Sequence, residues 1–273
     1  MALPSGYKRL DYLESSGTQY INTGVDVSAG ARIVSKFAYA SFTLSSSFAY
    51  LYGAENNASP WNCLDVRVYS TAGETDFEVF TTKIYRPTLS INTIYDSDFD
   101  FRNKSNISVT LNGTKYPSVS ATNGLVAYPV YIFAADIANS PTRYSCARIY
   151  TFEMYDVDNE PTRNYMPALR ISDSKPGLYD LLNDQFYTNA GTGEFTYGSV
   201  IDETLNIVIG DNPLMIQSIE NDLSLIAYFE RISSLRYKIN GAWKYALPYI
   251  KIKGRWRKAI AYRKINGSWK KGL

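Results

Sequence analysis

The chain of 273 residues contains no histidine, which removes Ser-His-Asp and Cys-His nucleophilic sites and any histidine-held zinc. Paired carboxylates remain as a route to hydrolytic chemistry, because a retaining mechanism needs two carboxyls about 5–5.5 Å apart. The nearest string is "YDVDNEP", with Asp156, Asp158 and Glu160. Its Asn159-Glu160-Pro161 segment reads as a turn, so these acids are expected at a solvated strand end. No catalytic residue is assigned, and the chain is expected not to be an enzyme. "GTGEFTYG" at 191–198 lacks the Lys-Ser/Thr ending of a phosphate loop and also reads as a turn. Cys63 and Cys146 are too few for a disulfide framework, and their spacing matches no metal motif. Neither metal nor cofactor is assigned, and whether the two cysteines pair stays open.

Binding chemistry is better represented. The loop "GAENNASPWN" sets Trp61 beside Asn56, Asn57 and Asn62. An indole face can stack on a sugar ring while amides fix its hydroxyls. Trp61, Asn57 and Asn62 are therefore the candidate ligand residues, although a Trp packed on its own domain is the plainer expectation.

A second group of tryptophans lies near the C-terminus, where Trp243, Trp256 and Trp269 recur every 13 residues, as do Gly241, Gly254 and Gly267. Asn-Gly or Lys-Gly pairs between alternating segments signal two-residue hairpin turns. That geometry sets Lys238 opposite Trp243, Lys251 opposite Trp256 and Lys264 opposite Trp269. A small antiparallel β-meander of 13-residue repeats is predicted over 236–273, with Tyr249 and Tyr262 on the Trp face. Each Trp-Lys pair can gain about 0.5–1 kcal/mol of cation-π energy if exposed. Three strands alone leave open edges, so packing on a partner or on copies of the chain is expected.

Charge is divided unevenly. Residues 236–273 carry 12 Lys and Arg and no Asp or Glu, whereas the preceding 235 carry 16 basic and 26 acidic residues. A basic end favours acidic partners: a protein, a nucleic acid or an anionic cell envelope. Nucleic acid is the least expected of these, because the acidic body opposes a duplex. No stretch reaches the 18 or so apolar residues of a membrane span.

The elements that must position these groups are mostly strands. "CLDVRVYS" alternates Leu64, Val66 and Val68 against Asp65, Arg67 and Tyr69. "NISVTLNG" alternates Ile107, Val109 and Leu111 and turns at Asn112-Gly113, and "LYDLLNDQFYTN" reads as a hairpin turning at Asn183-Asp184. Many short strands and 24 tyrosines argue for a sandwich or jelly roll. One helix is predicted from Asn212-Pro213, with Ile216, Ile219, Leu223 and Ile226 at helical spacing. The predicted organisation is a jelly roll over 1–198, a helical connector over 199–235 and the basic Trp repeats over 236–273. Ile219, Leu223 and Ile226, with Trp243, Trp256, Trp269, Tyr249 and Tyr262, are the expected oligomerisation or anchoring residues.

Three phrases carry a family likeness: "LPSGYKRLDYLESSGTQYINTG" at 3–24, "ARIYTFEMYD" at 147–156 and "GLYDLLNDQFYTNAGTGEFTYG" at 177–198. Together they resemble the laminin-G-like, concanavalin-A-like jelly-roll module of tailed-phage and prophage virion proteins. The Trp-Gly repeats are similar, more loosely, to short C-terminal repeats of such proteins. The resemblance implies an all-β, two-sheet concanavalin-A-like jelly roll whose first and last strands lie close together. It also implies a virion location, other virion proteins and host surface glycan as partners, and the trimeric habit of phage fibres. Without a leader pattern at the N-terminus, release by lysis within an assembled particle is the expected route out of the cell. Glycoside hydrolases of the same superfamily carry Glu-x-Asp-x-x-Glu, from which "YDVDNEP" departs in its first acid and in spacing. No calcium-site pattern of the laminin-G type carries over.

Overall fold

The computed structural model describes residues 3–26, 31–44, 47–59, 61–121 and 126–201, and beyond them the backbone of short strands between 205 and 271. Two compact units divide the chain, Met1–Asp202 and Glu203–Leu273.

In chain order the first unit contains β1 (Tyr7–Leu10), β2 (Leu13–Ser16), β3 (Ile21–Asp26), β4 (Arg32–Ser41), β5 (Ala49–Glu55), β6 (Cys63–Val68), β7 (Thr75–Val79), β8 (Thr82–Tyr85), β9 (Tyr95–Asp100) and β10 (Ser108–Leu111). There follow β11 (Thr114–Lys115), β12 (Pro129–Ile132), β13 (Ala135–Ile137), β14 (Ser140–Thr142), β15 (Cys146–Tyr155), β16 (Pro161–Arg170), β17 (Lys175–Asp180), β18 (Gln185–Tyr187), β19 (Thr196–Tyr197) and β20 (Val200–Ile201). They form an all-β sandwich. One sheet runs β11-β10-β9-β4-β15-β16-β1-β20, with β2 and β19 beside β15 and with β17 and β18 beside β16. The other runs β14-β13-β5-β6-β7-β8, with β12 linking β3 to β5. Among the described pairings of the sandwich, only β13 with β5 is parallel.

Period-two alternation builds the core. On β4, Ile33 and Phe37 turn inward, and so do Ala147, Ile149, Phe152 and Met154 on β15 despite register shifts against β4. Aromatic edges join the sheets: Phe77 of β7 meets Phe99 of β9 at 5.7 Å between ring centroids, and Tyr52 of β5 meets Phe152 at 5.1 Å. Ile107, Val109 and Leu111 are buried as the alternation predicts, and β10 turns into β11 at Asn112-Gly113. The β17–β18 hairpin turns over residues 181–184.

The phrases that carry the family likeness come together. β2 pairs with β15 and with β19, and β1 pairs with β20, so the two ends of the sandwich close on each other.

The second unit begins with β21 (Leu205–Ile209) and β22 (Asn212–Ile216), an antiparallel pair. The predicted helix therefore does not start at Asn212. Leu205–Ile209 supplies an apolar β-branched partner across the two-residue Gly210-Asp211 connection, and pairing overrides local helical spacing. Ile219, Leu223 and Ile226 lie outside the described residues. Then come β23 (Tyr228–Phe229), β24 (Arg236–Ile239), β25 (Ala242–Tyr245), β26 (Tyr249–Ile252), β27 (Arg255–Lys258), β28 (Tyr262–Ile265) and β29 (Ser268–Lys271). Lys238 opposes Trp243, Lys251 opposes Trp256 and Lys264 opposes Trp269, the predicted register in all three repeats. Each repeat pairs as an antiparallel hairpin of two four-residue strands.

Candidate functional site

The tip between β5 and β6 carries the residues singled out for ligand binding. The Asn56 N–H donates to the Asn62 carbonyl at 2.9 Å and closes the loop. Trp61 is 55% exposed, where a ring packed on its own domain was expected. Asn57 is exposed in the same loop. Asn62 is 5% exposed, and its Oδ1 has no partner among the described residues. The structure thus brings an open indole and an open amide to one tip and tucks the third residue beneath them.

Sequence reasoning missed the face of the second sheet that turns away from the core. Alternation on β6 and β7 sends Leu64, Val66, Phe77 and Val79 into the core, leaving Asp65, Arg67, Asp76 and Glu78 on the opposite face. That face is buried as well. Register aligns Gly53, Asp65, Glu78 and Lys83 across four strands, with Tyr50, Arg67 and Asp76 in the next row. Arg67 donates to Asp65 Oδ2 at 3.0 Å, Glu78 Oε2 at 2.5 Å and the Tyr50 hydroxyl at 2.9 Å. Arg143, from the loop before β15, reaches Glu55 Oε2 at 2.5 Å and the same hydroxyl at 3.0 Å. Arg86 grips Asp76 through Nε at 2.5 Å and NH2 at 3.0 Å, and Lys83 adds a contact at 3.3 Å.

Aromatic rings roof the charges. The Phe48 ring lies 4.4 Å from the Arg67 guanidinium and 5.4 Å from that of Arg143. Tyr69 covers Arg86 at 4.6 Å and Lys83 at 5.4 Å. Gly53 makes the arrangement possible, since a Cβ there would fall 2.5 Å from the Leu64 carbonyl and 2.9 Å from the Tyr50 ring. The signal in the sequence was the pair "LDVRV" and "TDFEV", two central strands carrying charge at every second position.

Burial sets the titration of this face. Asp65 is pushed up to about 8 by desolvation, which the Arg67 charge opposes and the Glu78 charge reinforces. Burial likewise pushes the Cys63 thiol up. For Asp76 burial also acts upward, but hydrogen bonds and charge from Arg86 and Lys83 prevail and hold it below the usual carboxylate range.

The acids of "YDVDNEP" make a turn. Asp156 Oδ1 accepts the N–H groups of Asp158 and Glu160, each at 2.9 Å, and Asp158 and Glu160 are exposed. The 191–198 loop is docked on the N-terminal segment through Thr192 N–H to the Thr18 carbonyl, and Phe195 packs on Phe133 at 5.5 Å. Cys63 and Cys146 are both free thiols.

No protein-family model matches the chain, and no curated protein matches it. Among solved structures, it is similar to a putative carbohydrate-binding protein from Bacteroides ovatus at 11% identity and a TM-score of 0.49, over 75% of this chain and 61% of that one. It is also similar to the NanB sialidase of Streptococcus pneumoniae at 11% identity and a TM-score of 0.38, over 96% of this chain and 61% of that one. The chain thus spans about three fifths of the length of either neighbour. Likeness at these scores carries no argument about ligand or chemistry.

Proposed function

We propose that this chain is a non-enzymatic, lectin-like component of a tailed-phage virion whose sandwich binds host surface glycan through the β5–β6 tip. The observation that carries the reading is the open indole of Trp61, 55% exposed in the same loop as the exposed Asn57. A flat apolar face next to amide donors and acceptors matches a pyranose ring, which has an apolar face and hydroxyls at its edge. The virion assignment rests on the phrases at 3–24, 147–156 and 177–198 and places the protein in the extracellular particle among other virion proteins. In this reading the basic hairpins anchor or oligomerise the chain, with a homotrimer as the assembly.

The test is a glycan array probed with the full chain, followed by calorimetry on the best ligand with Trp61→Ala and Asn57→Ala. Loss of binding by at least tenfold in Trp61→Ala, with an unchanged melting temperature, supports the reading. Undiminished binding in Trp61→Ala removes the tip from it.

A second reading has its own observation. Three hairpins repeat one Lys-Trp register within a segment that has 12 basic and no acidic residues. Such a surface suits an anionic cell-wall polymer, and its binding weakens with salt. Residues 236–273 fused to a fluorescent reporter and mixed with host cells separate the two: salt-sensitive labelling by the tail alone favours this one.

A further inference from the structure

We infer that Cys63, Asp65 and Glu78 form a buried site for one zinc-like divalent cation on the outward face of the second sheet. One ligand atom from each of the three lies within 4.8 Å of the other two, and all three residues are buried. The β-sheet creates the cluster. Cys63 and Asp65 are two apart on β6 and share a face, and Glu78 is the cross-strand neighbour of Asp65 on β7. Three atoms at the corners of a triangle of that side sit about 2.8 Å from its centre, against about 2.0–2.3 Å for zinc bonds to carboxylate and thiolate. Side-chain rotation of about half an ångström closes the difference.

An independent observation points to a cation there. Asp65 is fully buried, its Oδ1 has no partner at hydrogen-bond distance among the described residues, and the Cys63 thiol lies close enough to favour its charged form. A buried acceptor left unpaired is costly.

The outer ring fits the role. Arg67 holds one oxygen of Asp65 and one of Glu78, which orients both carboxylates and leaves each a second oxygen for a metal. Hydrogen bonds of this kind typically fix metal ligands in place. One sulfur and two carboxylates suit zinc or cadmium better than calcium or magnesium, which take oxygen alone. Burial of all three ligands marks the site as structural, with the cation entering as the sheet forms.

The absence of histidine from the chain makes the experiment clean, provided the protein is produced without a histidine tag. Full-length chain is dialysed with equimolar Zn2+, and metal content is read by native mass spectrometry. A parallel Co2+ titration follows the thiolate-to-metal charge-transfer band. The expected result is one Zn2+ per chain, a cobalt band, and a melting temperature raised by about 5–10 °C at a hundredfold excess over Kd. Cys63→Ser loses the band, whereas Cys146→Ser keeps it. No retained zinc and no melting shift in the wild type overturn the proposal and leave a proton on Asp65 as the compensating charge. Zinc retained equally by Cys63→Ser and Glu78→Gln also overturns it. Because the wild-type melting shift needs no variant, the test stands even if a substitution prevents folding.

Discussion

Asp65 and Glu78 face each other across β6 and β7, two acids in one cross-strand register position, and Arg67 holds an oxygen of each. Like charges directly opposite on a sheet repel, so the guanidinium holds the pair together. Arg67→Met is expected to destabilise the sandwich by about 3–5 kcal/mol, the cost of leaving buried carboxylates unpaired. Urea denaturation followed by tryptophan fluorescence checks it, and a loss under about 1 kcal/mol would contradict the buried geometry.

Asp76 sets the acid limit of the same face. Its folded carboxyl is held below the usual range by Arg86 and Lys83 against the opposing effect of burial. A depressed carboxylate contributes stability that is fully present above the unfolded value of about 3.9 and is lost as pH falls through the folded value. Wild type is therefore expected to lose stability more steeply than Asp76→Asn below about pH 4. Denaturation midpoints at a series of pH values from neutral downward show whether the two slopes differ; parallel slopes would rule out this role.

Closure of the sandwich makes a prediction about length. Leu13 stands opposite Tyr197, and Arg9 opposite Ile201. A chain ending at Asp202 is expected to unfold in one cooperative transition, while one ending at Ala190 loses β19, β20 and the Phe195 contact and is expected to melt earlier or not fold. Leu13→Ala, which empties a fully buried position, is expected to cost about 2–5 kcal/mol. Differential scanning calorimetry on the three proteins is the measurement.

The proposed function puts assembly in the second unit. Native mass spectrometry of the full chain is expected to show a trimer, and the chain ending at Asp202 a monomer. Two monomers would free the basic hairpins for another partner, and a trimer of the shorter chain would move the interface onto the sandwich.

Much of the architecture was legible because strands and tight turns are local. Ile107, Val109 and Leu111 alternate into a turn at Asn112-Gly113, and the structure buries all three. The Lys-Trp register of the C-terminal hairpins followed from glycine position alone, since a two-residue turn leaves one way to pair the flanking residues. The Asn212-Pro213 helix start misled, because Asn212–Ile216 pairs with Leu205–Ile209, while Ile219, Leu223 and Ile226 lie outside the described residues. A strand's partner lies outside the window in which periodicity is read.

Alternation by itself determined which residues of β6 share a face, but not what lies against that face. Asp65 and Arg67 read as the outward half of a half-buried strand, and they are outward. What buries them arrives from elsewhere: Phe48 from the loop before β5, and Arg143, which reaches Tyr50 across 93 residues of sequence. Trp61 shows the converse, an aromatic left 55% exposed among the described residues. Periodicity is a property of neighbours along the chain, whereas burial depends on segments far apart in sequence, so only the tertiary structure could decide that this polar face was sealed and that Trp61 was left exposed.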